Sequence, residues 1–244
     1  MNVVKSLNHG LILGLLVSSC TFSPQKQEHQ QLVEKARRGS LTIVVSKAET
    51  PSSLFIGGGF YLGENKIATA AHVTNHAGSG PEDIQCIPLV SRTKGFYISK
   101  SELTQLKEKK WACKVLQIFR NQDLSILEFT ESPDVSQLST LKISNKPLKR
   151  SDKVFGFSTT TGFAMTWLEG YIANEIDMTP AQWTDDMPET SASSVYLFSS
   201  PVRKGSSGMP MLNEHGDLIG MLKGMTTEHH FGIITPVNSF KSYL

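Results

Sequence analysis

From Ser40 onward the apolar residues fall in short runs rich in β-branched and aromatic types, each closed by Gly, Pro, Asn, Asp or Ser: LTIVV, LFIGGGFYL, KIATAA, IQCIPLV, ACKVLQIF, LSILEF, KVFGF, AMTWLEGYI, VYLFSS, MPML, LIGMLKG and FGIITPV. Runs this short, with no sustained helical period between them, predict strands and an all-β sandwich or barrel. The runs divide evenly around the polar stretch TESPDVSQLSTLKISNKPLKRSDK. Two small β-units are therefore expected, over residues 40–133 and 134–244, joined by a linker. Before them, residues 20–39 are a polar tether with one short helical stretch that stops at Gly39. No internal repeat and no low-complexity tract stands out.

The first nineteen residues follow a different pattern. Lys5 precedes the apolar run Leu11 to Val17, and small residues lead to Cys20. That is a targeting segment, residues 1–19, and its apolar run is far shorter than the roughly 20 residues a membrane-spanning helix needs. Val17-Ser18-Ser19-Cys20 also resembles the lipobox of bacterial lipoproteins, in which cleavage frees the cysteine for acylation. The resemblance implies a lipid such as palmitate on Cys20, a membrane anchor and an exported protein at the bacterial cell envelope; the alternative is a plain secretory signal with an incidental cysteine.

Outside the cytoplasm, the two remaining cysteines acquire a meaning. Cys86 and Cys113 lie in β-runs of the first unit, and an even pair in an oxidising compartment reads as one disulfide, two buried thiols being the alternative. With 244 residues, 39% hydrophobic and 19% charged, the chain has ample material for a packed core. Its net charge of +2 is too mild, and its basic clusters too short, to suggest a nucleic-acid partner.

Candidate chemistry begins with KGSSGMPML, residues 204–212, where glycines bracket two serines. Glycine permits positive φ and close approach of another molecule, so a serine here can be presented rather than buried; an ordinary surface turn has the same composition. To act as a nucleophile the serine needs a base, and the base needs an orienting group. His72 closes the small-residue run KIATAAHV and is a candidate base. Asp123 opens the apolar strand DLSILEF and is the candidate orienter, with Glu128 on that strand as second choice. Asp134, Asp152 and Asp217 lie in polar or turn-like settings that suit the role less well.

TAAHV, DLSIL and GSSGMP, in the order His, Asp, Ser, resemble the motifs of the trypsin-like serine proteases of chymotrypsin fold, and 51 and 84 residues separate the three candidates. GGGFYL, GYI, GDLIGM and FGIITPV extend the resemblance over nearly everything from Ser40. Within that family the chain looks nearest to bacterial exported proteases of the high-temperature-requirement (Deg) type. Those usually carry a PDZ domain after the protease, for which this sequence leaves no room. The resemblance implies two packed six-stranded antiparallel β-barrels with the active site in the cleft between them. It also implies a serine endopeptidase acting on protein or peptide substrates, without cofactor or metal. His72, Asp123 and Ser207 would be catalytic. The backbone N–H groups of Gly205 and Ser207 would form the oxyanion hole, with Ser206 as spacer and rival nucleophile. A catalytically silent barrel that binds peptides or envelope proteins is the alternative from another class.

The resemblance extends to specificity. It puts Pro201, six residues before Ser207, at the floor of the substrate pocket, and Val202 and the strand Leu222-Lys223-Gly224-Met225 along its wall. Leu222 stands where glutamate-specific relatives place a histidine. Pro201 carries no charge, whereas a pocket for Lys or Arg would need a buried carboxylate to pair with the cation, so an apolar pocket is expected. A competing arrangement turns Arg203, Lys204 or Lys223 inward to select acidic residues, but long basic side chains ordinarily keep their heads in water.

Overall fold

A computed structural model of the chain describes residues 24–46, 54–75, 84–89, 111–158, 166–178, 193–226 and 231–244. The targeting segment and Cys20 lie outside these residues. A helix, α1 (Pro24–Gly39), leads into six strands: β1 (Ser40–Ser46), β2 (Leu54–Gly63), β3 (Lys66–Ala70), β4 (Ile84–Pro88), β5 (Ala112–Phe119) and β6 (Leu124–Phe129). A one-turn helix, α2 (Ala71–Thr74), follows β3. Six more strands come after the linker: β7 (Lys153–Ser158), β8 (Thr166–Met178), β9 (Ser193–Pro201), β10 (Pro210–Asn213), β11 (Leu218–Met225) and β12 (Phe231–Pro236). All twelve apolar runs are strands.

Each set of six closes into an antiparallel barrel, in the order β1-β2-β3-β6-β5-β4 and β7-β8-β9-β12-β11-β10. The second barrel repeats the strand order of the first. Closure leaves neither sheet with a free edge, which is how short strands of this kind avoid pairing with other chains. Two large apolar clusters, and a small one around Val195 and Ile233, are found among the described residues. One contains Leu41, Ile43, Phe60, Ile67, Leu124 and Leu127 of the first barrel and continues through Leu212, Leu218 and Met221 of the second. The other holds Ile172, Phe198, Met209, Met211, Leu222 and Ile234 inside the second barrel. Each such side chain, fully buried, stabilises the fold by about 1.5–3 kcal/mol, and the shared cluster joins the barrels apolar face to apolar face.

The expected tether is helical from Pro24. Its last turn carries Arg37 and Arg38, cations that suit the negative end of the helix dipole. Lys35 reaches the His215 carbonyl at 3.2 Å and the Asp217 carboxylate at 3.5 Å, Arg38 donates to the Gln137 carbonyl, and Ser40 Oγ donates back to the Ala36 carbonyl. These contacts dock α1 on the second barrel just before the chain enters the first. Cys86 and Cys113 are bonded across β4 and β5, with Cα atoms 6.1 Å apart. Among the described residues no helix is long and apolar enough to cross a membrane.

Candidate active site

The antiparallel register of β3 on β6 pairs Ala70 with Leu124 and so brings the residues that follow and precede them together. His72 and Asp123 are neighbours for that reason, although 51 residues separate them in sequence. Asp123 Oδ2 lies 2.8 Å from His72 Nδ1, and Oδ1 accepts the His72 backbone N–H at 2.9 Å. The Ala71 N–H donates to the Asp123 carbonyl at 3.0 Å. Three contacts therefore tie Ala71 and His72 to Asp123, one of them through the imidazole. Asp123 itself sits in left-handed backbone, φ 50°, at the end of the Arg120–Gln122 turn, a conformation Asp tolerates better than most residues. Thr74 Oγ1 bonds the Ala71 carbonyl at 2.9 Å and Ser125 Oγ at 2.8 Å, clamping α2 to β6. Asp123 is wholly buried and His72 nearly so.

Glu128, the second-choice orienter, is placed elsewhere: its carboxylate pairs with Lys114 at 3.0 Å across β5 and β6. Asp217 is taken by Lys35 and Lys142, Asp134 by the Ser136 N–H and Asp152 by the Lys149 N–H.

The serine turn comes from the other barrel. Gly205 and Gly208 have φ of 94° and 88°, the left-handed backbone that their sequence positions suggested. Ser206 is 1% exposed and bonded within the turn, whereas Ser207 is only half-buried. Of the two serines, Ser207 is the accessible one. Its carbonyl accepts the Gly58 N–H at 2.7 Å, and the next N–H, from Gly208, donates to the Leu222 carbonyl at 2.7 Å. The turn is thus tied to β2 of the first barrel on one side and to β11 on the other. Ser207 Oγ donates to the Lys223 carbonyl at 2.8 Å, and among the described residues none of its hydrogen bonds goes to His72.

The triple glycine Gly57-Gly58-Gly59 on β2 faces the serine turn through its first two members. A Cβ on Gly57 would come within 3.0 Å of the Ser207 carbonyl oxygen, and one on Gly58 within 2.8 Å of the Met209 N and Cα. Bare backbone on β2 is what lets the serine turn lie against the first barrel. Three glycines in the middle of an apolar run, where they weaken a strand, were the available signal for such an approach.

Among the candidate pocket residues, Val202 and Leu222 face the second-barrel core, meeting around Gly232. Pro201 ends β9 and is exposed, opposite Phe231 on β12, and Met225 at the end of β11 is half-buried. Pro201 and Met225 are the members with open surface. Lys223 corrects an expectation: its side chain is 1% exposed and does not keep its head in water. Burial pushes its ammonium below the usual lysine range, and the Asp123 carboxylate pulls it partly back. Arg203 and Lys204 are exposed.

The sequence profile of the trypsin-like peptidase domain matches residues 57–221, which include His72, Asp123 and Ser207. The chain belongs to the trypsin-like peptidases. By family it is a serine endopeptidase, and its two closed barrels are the chymotrypsin-like fold. The chain is similar in structure to the active form of the Rv3671c protease from M. tuberculosis, with a TM-score of 0.66 at 16% identity over 99% of this chain and 92% of that one. It is also similar to the HtrA-type protease AlgW solved with a tripeptide, with a TM-score of 0.65 at 14% identity over 88% of this chain and 61% of that one. The serine endoprotease from Yersinia pestis gives a TM-score of 0.61 at 18% identity over 88% and 64%. No curated protein matches this trypsin-like peptidase in sequence.

Proposed function

We propose that this peptidase cleaves protein or peptide substrates with a triad of Ser207, His72 and Asp123, and that it works from a lipid anchor on Cys20 at the bacterial cell envelope. The observation that carries the triad is the double attachment of His72 to Asp123, through Nδ1 at 2.8 Å and through the backbone N–H at 2.9 Å. With Nδ1–H held by the carboxylate, Nε2 is left as the basic nitrogen. In this reading Ser207 Oγ leaves the Lys223 carbonyl for the imidazole when substrate binds, the step at which such catalytic hydrogen bonds tighten. Oγ then attacks the substrate carbonyl carbon while Nε2 accepts its proton. The negative charge that develops on the carbonyl oxygen is met by the N–H groups of Gly205 and Ser207, each such donor contributing about 3 kcal/mol in sites of this kind. Asp123 stabilises the imidazolium, which protonates the leaving amine. Water, deprotonated by the same nitrogen, releases the acyl group.

Cys20 supplies the anchor in this reading, supported by the Val17-Ser18-Ser19-Cys20 pattern. Only Thr21, Phe22 and Ser23 then separate the acylated residue from α1, so four extended steps, about 14 Å, limit how far the docked helix stands from the bilayer.

A fluorophosphonate probe on the purified full chain tests the chemistry. Wild type and Ser206→Ala should be labelled, Ser207→Ala should not, and His72→Ala should react at least a hundredfold more slowly. Absence of labelling in folded wild type would favour a silent, peptide-binding barrel. Cys20→Ser should move the protein from membrane to soluble fraction, and a mature N-terminus other than acylated Cys20 by mass spectrometry would end the anchoring proposal.

A further inference from the structure

Thr74 and Ser125 are both buried, and they repeat, two residues further along each segment, the pairing of His72 with Asp123: 51 residues separate the members of either pair. Two buried hydroxyls are costly unless bonded, and a pair of apolar side chains would fill the same space at little loss of stability. What the hydroxyls add is direction. Thr74 Oγ1 donates to the Ala71 carbonyl at 2.9 Å. A hydroxyl carries one proton, so in the 2.8 Å contact between Thr74 Oγ1 and Ser125 Oγ the donor is Ser125. The order is therefore Ser125 O–H to Thr74 O–H to Ala71 C=O, a relay in which each bond polarises the next.

That relay ends beside the candidate base. The Ala71 carbonyl and the His72 N–H belong to one peptide unit, which is planar and stiff. Its N–H donates to Asp123 Oδ1 at 2.9 Å, and its C=O is held by Thr74. The segment from Asp123 to Ser125 thus grips both ends of the plane, once directly and once through Thr74. α2 cannot supply this rigidity by itself. It is one turn long, has no side-chain cap at its start, and is closed by the Asn75 N–H on the Ala71 carbonyl at 3.1 Å. A single helical turn is not self-supporting. If the plane turned about its Asp123 contact, the Cα–Cβ bond of His72 would swing, and the imidazole with it.

We propose that Thr74 and Ser125 are positioning residues of this active site: their hydrogen-bonded pair orients the Ala71–His72 peptide unit and so holds the His72 imidazole at the angle from which it serves both Asp123 and Ser207. The proposal rests on the triad reading. Both hydroxyls act through the backbone of His72.

Fluorophosphonate labelling of the full chain, read beside urea unfolding, tests it. Thr74→Val keeps the shape of the side chain, breaks the relay and leaves the Ser125 hydroxyl buried without its acceptor. Its labelling rate should fall about tenfold, short of the hundredfold that a 1 Å misplacement costs, and its urea midpoint should fall as well. In Thr74→Val/Ser125→Ala neither hydroxyl remains unpaired, so the midpoint should recover toward wild type. The rate at saturating probe should nevertheless stay about tenfold low, with the half-saturating probe concentration unchanged. A pair that served stability alone would recover both. Thr74→Ser restores the hydroxyl and should recover the rate. A second readout needs no turnover: at a fixed pH, the His72 Nδ1 proton should exchange with water faster in the double variant than in wild type. Wild-type labelling in the double variant overturns the proposal, as does Thr74→Ser labelling no faster than Thr74→Val. The double variant carries the test if Thr74→Val alone does not fold. His72→Ala separates the two readings. Wild-type labelling in that variant is a failure of the triad, whereas slow labelling there beside wild-type labelling in the double variant is a failure of the relay alone.

Discussion

Substitution of Gly58 by alanine tests the idea that a strand of one barrel seats the nucleophile of the other. The added Cβ would lie 2.7 Å from the Met209 Cβ and 2.8 Å from its Cα and N, where ordinary contact begins at 3.4 Å. Two of those three atoms are backbone, so no rotamer change relieves the clash, and β2 must part from the serine turn by about 0.7 Å. The Gly58 N–H to Ser207 carbonyl bond, 2.7 Å in the native protein, would then stretch to the edge of hydrogen-bonding range. Overpacking of this kind costs about 1–3 kcal/mol, and the weakened bond adds up to about 1 kcal/mol. A displacement approaching 1 Å of a reacting group costs up to about a hundredfold in rate, so the fluorophosphonate labelling rate should fall roughly ten- to a hundredfold. Urea unfolding read by tryptophan fluorescence gives the stability loss, and labelling under conditions where the variant is fully folded gives the rate. Gly216→Ala is the control. It too introduces strain, at φ 71° against Lys35 and Leu32 of α1, and should lose about 1–2 kcal/mol while labelling at the wild-type rate. A Gly58→Ala protein with wild-type midpoint and wild-type labelling would refute the seating argument.

Removing the Cys86–Cys113 bond by double serine substitution should lower stability by about 3.5 kcal/mol on the chain-entropy account for a separation of 27 residues, measured by chemical denaturation; a loss below about 1 kcal/mol would mean the unfolded chain gains little freedom. Because burial holds the Lys223 ammonium below its usual range, the unfolded chain binds this proton more tightly. Stability linked to Lys223 therefore rises as pH climbs through its folded pKa toward 10.5 and is lost on the way down, so wild type should gain alkaline stability relative to Lys223→Met in melts across that range. Equal slopes for the two proteins would contradict the burial. Glu128→Gln should leave labelling of Ser207 unchanged and cost no more than about 1 kcal/mol, since its partner is the half-exposed Lys114; loss of labelling would reopen Glu128 as an orienter. In a peptide-library digest, cleavage should fall mainly after Val, Ala, Leu or Met, and a dominant preference for Glu or Asp would exclude an apolar pocket lined by Pro201 and Met225.

Local pattern was enough for the parts of this protein that depend on local chemistry. Short alternating or continuous apolar runs can satisfy their backbone groups only by pairing, so all twelve strands were legible, as were the glycines at 205 and 208 whose positive φ a side chain would oppose. The residue types of a candidate nucleophile, base and orienter, the triad proposed here, could also be read in their order along the chain. What the alternation of side chains does not encode is which strand pairs with which. The shared order of the two barrels, invisible as a sequence repeat, arises from long-range closure, and the meeting of His72 with Asp123 is a consequence of β3 pairing with β6. Gly57 to Gly59 read as a weak strand until Ser207 and Met209 were seen lying against them. Lys223 is the sharpest case: the propensity of lysine for water is a property of the residue, whereas its burial, at the extra position of a one-residue bulge between β11 and β12, is set only in the tertiary structure.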